Sequence, residues 1–195
     1  MRDLRYSRLM PRRRYIFDPP ERFIAGTVGQ PGARTFFLQA RDGSRIVSVA
    51  LEKVQVAVLA DRLGQLLGEL ERRGVAAGSE PAAATVDSAP LDEPINEAFR
   101  AGSLTLGWDG DDEVVLVEAR AQDDDGEAID PDDDDDEDED GPDLLRVRMT
   151  ASAARVFVER ASRVVAAGRP PCPLCGAPLD PMGHICPRRN GHYVN

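Results

Sequence analysis

The chain has a single lysine, Lys53, and its only two histidines and three cysteines all fall between residues 172 and 192. A histidine general base would therefore have to act beside that terminal cluster. There is no G-x-S-x-G, no H-E-x-x-H, and no cysteine outside the cluster to serve as a nucleophile. These absences weigh against the commonest hydrolytic machineries and leave carboxylate or arginine chemistry open. No run approaches the roughly 18 apolar residues of a membrane span. The N-terminus, MRDLRYSRLMPRRRYIFDPP, carries charge where a signal peptide has an apolar core. The expectation is a cytoplasmic protein. Three cysteines, an odd number packed into 15 positions, point to a metal in preference to a disulfide framework.

What is present is enough for a folded domain with appendages: 195 residues, 42% of them hydrophobic. The net charge of −11 is misleading, because the run from Asp123 to Asp140 holds 14 acidic residues and no basic one, so that the rest of the chain carries +3. Of the 24 basic residues 23 are arginine, a bias that a GC-rich genome writes into neutral positions, so an isolated arginine is weak evidence for anion recognition.

Residues 1–14 form a basic arm with six arginines, closed by YIFDPP. ERFIAGTVGQPGARTFFLQARDGSRIVSVALEK predicts three antiparallel strands, with turns at GQPG and at Asp42-Gly43. From Glu52 to Arg73 the period becomes helical, with Val56, Leu59, Leu63, Leu66 and Leu70 on one face and Gly74 as the stop. Residues 75–95 lack a period and read as a linker or loop. SLTLGWDGDDEVVLVEARA predicts a second hairpin with Asp109-Gly110 at its turn. A disordered acidic insertion over 121–143 then separates it from LLRVRMT, where Leu145, Val147 and Met149 alternate with Arg146 and Arg148. Thr150 is placed to cap a second helix whose apolar face is Ala154, Phe157, Val158, Ala161, Val164 and Val165. The fold class predicted is α+β: an antiparallel sheet of about six or seven strands packed by two helices over residues 15–168, with a small metal-binding tail over 169–195.

The tail, PPCPLCGAPLDPMGHICPRRNGHYVN, carries the strongest chemical signal. Cys172-Pro173-Leu174-Cys175-Gly176 has the form of a zinc knuckle, in which two thiolates three residues apart converge on one ion and backbone N–H groups donate to the sulfurs. Cys186 returns eleven residues later as a third thiolate. The fourth ligand is His184, two residues before Cys186, with His192 as the alternative; His192 sits three residues from the chain end, where fraying is expected. Four protein ligands make a closed, structural Zn²⁺ site that holds the tail in shape and activates no water.

Other motifs read more simply. GTVGQPGAR lacks the Lys-Ser/Thr of a phosphate loop and leads into a strand, so Gly26, Gly29 and Gly32 are read as turn glycines. Asp109, Asp111 and Asp112 are read as hairpin-turn residues, and Trp108 as a core or sheet-face aromatic. The acidic run lacks the fixed Gly and terminal Glu of a calcium loop and reads as a solvated spacer.

GARTFFLQARDG, SVALEKVQVAVLADRL, EPINEAFRAGSLTLGWD and RPPCPLCGAPLDPMGHICPRRNGH resemble an uncharacterised actinobacterial domain-of-unknown-function family with a zinc-ribbon-like tail. The resemblance covers nearly the whole chain apart from the acidic run. It implies partners in a pathway shared with a kinase-like and a histidine-phosphatase-like protein, and no particular activity. The leading expectation is a non-enzymatic zinc-binding adaptor with a protein partner. The runner-up is an enzyme or accessory subunit in a nucleotide or phosphate pathway. A third reading is nucleic-acid binding through the tail, Arg12–Arg14, Arg146, Arg148, Arg188 and Arg189. No membrane association is expected.

Overall fold

The computed structural model describes residues 12–75, 87–122, 141–168, 172–175 and 186. The basic arm up to residue 11, most of the acidic insertion, His184, Arg188, Arg189 and His192 lie outside them. The described residues form an α+β structure, a mostly antiparallel seven-stranded sheet with two helices. The strands are β1 (Arg14–Phe17), β2 (Arg22–Val28), β3 (Thr35–Asp42), β4 (Arg45–Leu51), β5 (Glu97–Asp109), β6 (Val114–Ala121) and β7 (Leu144–Met149). The helices are α1 (Lys53–Arg72) and α2 (Ala151–Ala166).

Across the sheet the order is β1-β7-β6-β5-β4-β3-β2. Two consecutive units, β2-β3-β4-α1 and β5-β6-β7-α2, therefore lie side by side, each an antiparallel meander followed by a helix. They meet where β4 and β5 pair in parallel, and β1 adds a parallel strand beside β7. The loose likeness of two hairpin-plus-helix halves in the sequence has this geometric counterpart. The sheet curls strongly: Arg45 on β4 lies 4.5 Å above the Phe17 ring of β1 and donates to the Ile16 carbonyl at 3.0 Å.

Alternation sets the two faces. Ala25, Leu38, Val49, Val117 and Val147 point to one side, where α1 and α2 close a single core. On α1 the buried stripe is Val56, Leu59, Ala60, Leu63, Leu67 and Leu70, so Leu67 takes the innermost place expected for Leu66, which is only partly buried. The helix ends where the sequence predicts, with Gly74 at φ +71° and Val75 N–H donating to Leu70 O at 3.0 Å, the 6→1 bond of a glycine stop. On α2, Thr150 Oγ1 accepts from Ala153 N–H at 3.2 Å as the predicted cap. Phe157 stacks on Phe23 at 4.7 Å between ring centroids.

One detail departs from the sequence reading. Gly26 is no turn glycine: it lies inside β2, and a Cβ there would meet Leu91 at 2.6 Å. Gly29 and Gly32 do turn the chain, at φ +101° and +100°. The described part of 75–95 is a loop, as read, and it is packed in place. Leu91 and partly buried Ile95 pack with Ile24, Phe37 and Ala50 as a second apolar cluster on the sheet face away from the helices.

Candidate metal centre

α2 ends at Ala166, and six residues later the chain reaches Cys172. Proline and glycine in RPPCPLCG forbid further helix and leave a tight turn, in which Cys172, Pro173, Leu174 and Cys175 are described. Cys172, Cys175 and Cys186 come together with their sulfurs all within 4.8 Å of one another. Cys172 and Cys186 are buried, Cys175 is half-buried, and all three are free thiols. The Cys172 and Cys186 sulfurs lie 3.9 Å apart, far beyond the roughly 2.05 Å of a disulfide. Leu174 N–H donates to Cys172 Sγ at 3.4 Å, the backbone-to-sulfur bond that a knuckle requires. Hydrogen bonds from the backbone N–H groups of Cys175 and Leu174 hold the Cys172 thiol below its ordinary range, which favours the thiolate a metal needs.

The three thiols expected from the sequence are thus brought together and could hold a metal ion. His184 and His192, the two candidates for the fourth position, lie outside the described residues. Leu174, between two of the thiols, presents a side chain that is 50% exposed.

The arginines named for nucleic-acid contact are, where described, largely engaged by the protein itself. Arg13 bonds Asp143 through its backbone N–H at 2.8 Å and its Nε at 3.0 Å. Arg148 is held by Asp18 at 2.8 Å, Asp109 at 2.9 Å and Asp112 at 2.5 Å. Arg146 pairs with Glu118, which also binds Arg120 at 3.1 Å, and both Glu118 and Arg120 are buried. Asp109 has the hairpin role expected of it: its Oδ1 accepts from the N–H groups of Asp111 and Asp112 at 3.1 and 3.2 Å. These bonds, Asp112 first, hold its carboxyl below the usual range.

What sequence reasoning missed is a buried arginine. Arg160 sits on the inner stripe of α2 with 7% exposure and donates to the carbonyls of Ala25, Asp87 and Ala89. Its position, three residues after Phe157 and six after Ala154, falls on the apolar face and was the available signal.

The described residues define an α+β scaffold with a three-thiol cluster near its C-terminal end that could hold a metal ion. More narrowly, a family model described as a protein of unknown function, DUF3090, matches residues 15–186, and the chain belongs to that family. No curated protein and no solved structure matches it.

Proposed function

We propose that the chain is a non-enzymatic zinc-binding adaptor, in which a closed Zn²⁺ site at Cys172, Cys175, Cys186 and His184 shapes the tail for a protein partner. The observation that carries this reading is the thiol geometry. Tetrahedral ligation at a Zn–S bond of about 2.3 Å separates sulfurs by roughly 3.8 Å, and Cys172 and Cys186 stand 3.9 Å apart. The short C-x2-C knuckle with a backbone N–H on sulfur suits zinc better than a hard cation, which takes oxygen ligands. An ion in this place supplies folding free energy to a Pro-rich segment too poor in apolar residues to fold alone. Half-exposed Leu174 then becomes a fixed apolar contact at the tip of the knuckle. Val54 and Val58, 65% and 52% exposed one turn apart on α1, offer a second apolar contact.

The test is partner capture by full-length protein immobilised with and without the site. Partners retained by the wild type and released from both Cys172→Ser and Leu174→Asp support the adaptor. Identical retention by all three forms contradicts it.

The actinobacterial origin, the cytoplasmic location and the pathway shared with kinase-like and phosphatase-like proteins belong to the same proposal. For the membrane, no described helix is long and apolar enough to cross one.

A further inference from the structure

A cavity of about 250 Å³ opens where the β2–β3 turn, the start of α1 and the end of α2 converge. Pro31, Phe36, Val164 and Val165 give it apolar walls, and Arg34 and Lys53 give it two cations. We propose that it binds the oxyanion of a small metabolite, a phosphate or carboxylate carried on a short apolar body.

Charge favours an anion here. Arg22, Arg41, Arg148, Arg155 and Arg160 are each matched to at least one carboxylate. Among the described residues neither Arg34 nor Lys53 has such a partner. Two full positive charges converge on one concavity with no counter-ion among the described residues, which is the arrangement that focuses an anion into a site with low-dielectric walls.

The geometry of Arg34 favours one as well. Its Nη1 donates to Ala167 O at 2.5 Å, which fixes the guanidinium at the rim. Its Nε is buried without a hydrogen-bond partner. The Nε/Nη2 edge, the side-on fork that matches two oxygens of a carboxylate or phosphate, meets no protein acceptor among the described residues; Nε is buried in this conformation, so the side chain must turn outward before both donors meet a ligand.

The simpler account is that both cations only answer the negative end of α2, since Arg34 binds one of its last carbonyls and a Cβ at Gly168 would lie 3.3 Å from Lys53 Nζ. That end is equivalent to about half an elementary charge. Two cations exceed it several-fold, so a positive surplus remains. The start of α1 contributes nothing to the argument, because Glu52 and Gln55 already close it: Glu52 N–H donates to Gln55 Oε1 at 2.8 Å.

Size narrows the ligand. Sites for drug-sized molecules run from roughly 300 to 1,000 Å³, so the cavity suits a small metabolite and is too small for a nucleoside triphosphate. The oxyanion would lie between Arg34 and Lys53, with its carbon body against Phe36, Val164 and Val165. Nothing in this arrangement uses the thiol cluster, so the site is independent of the adaptor reading.

The experiment is ¹H–¹⁵N NMR titration of the full-length protein with inorganic phosphate, with acetate, and with sodium chloride at matched ionic strength. The expected result is saturable shifts at Gly32, at the Arg34 backbone and Nε–H, and at Gly168, with phosphate or acetate but not chloride; which of the two saturates first identifies the oxyanion. Lys53→Gln and Arg34→Gln should each weaken binding about 10- to 100-fold, the loss of one charge-assisted contact. Arg62→Gln, at an exposed arginine elsewhere on α1, should leave it unchanged. Because Arg34→Gln also loses the bond to Ala167, Lys53→Gln keeps the test valid if the former unfolds. Shifts that rise linearly, that follow chloride equally, or that saturate at the wild-type concentration in the Lys53→Gln protein overturn the proposal.

Discussion

Arg160 Nε donates to the carbonyl of Ala25 at 2.8 Å, tying the middle of α2 to the backbone of the edge strand β2. Its Nη1 reaches Asp87 O at 2.5 Å and Asp87 Oδ1 at 3.2 Å, and its Nη2 reaches Ala89 O at 2.7 Å. From the other side Arg22 grips Asp87 at 2.5 Å and Asp92 at 2.6 Å. The two arginines clamp the segment that carries Leu91 onto the far face of the sheet. One buried side chain thus joins helix, edge strand and covering segment.

Arg160→Ala leaves three carbonyls and a partly buried carboxylate short of a donor. Breaking a buried charged network in this way costs about 3–5 kcal/mol. For a domain of this size that is a fall in Tm of roughly 6–20 °C, measurable by calorimetry. Arg163→Ala, which removes only an exposed i,i+4 pair with Glu159, should stay within about 0.5 kcal/mol of wild type.

The Asp87 carboxyl is held below its ordinary value of 3.8, chiefly by the Arg22 hydrogen bond. A depressed carboxylate adds stability that is fully present above its unfolded pKa and is lost as pH falls through the lower folded value. Urea unfolding of wild type and Asp87→Asn should therefore differ by a constant amount from about pH 5 to 7. The difference should shrink below pH 3.8 and vanish in stronger acid. Comparing the two proteins at each pH cancels the acid loss of every group they share. A gap that widens on acidification would reverse the sign and remove this pairing from the account.

Gly26 and Leu91 predict a coupled pair. A Cβ at position 26 comes within 2.6 Å of the Leu91 side chain, so Gly26→Ala should destabilise by about 1–3 kcal/mol through overpacking. In a Leu91→Ala background the same change should be close to neutral, and a double-mutant cycle reads the difference. Additive effects would mean that the contact is not what keeps glycine in this strand.

How much of this was legible in the sequence depended on whether the signal was periodic. The hairpin at Asp42-Gly43, the stripe of α1 and the Thr150 cap follow from local pattern, because turn chemistry and amphipathicity act over a few residues. The thiol cluster was legible for the same reason, since knuckle spacing is itself a short-range constraint. Arg160 was not, because a charged residue on an apolar stripe reads as an exception until the carbonyls of distant residues 25, 87 and 89 are seen to converge on it. Gly26 read as a turn glycine since its reason for being glycine is a side chain 65 positions away. The parallel pairing of β1 with β7 joins residues 130 apart, so no local pattern could announce it.

The most direct measurement is the metal content of the purified full-length protein, by mass spectrometry, for the wild type and for Cys172→Ser, His184→Ala and His192→Ala. The account predicts one zinc per chain in the wild type and in His192→Ala, and its loss in Cys172→Ser and His184→Ala. Wild-type protein prepared without chelator and free of metal would contradict the zinc site, and loss with His192→Ala alone among the histidine variants would contradict its fourth ligand.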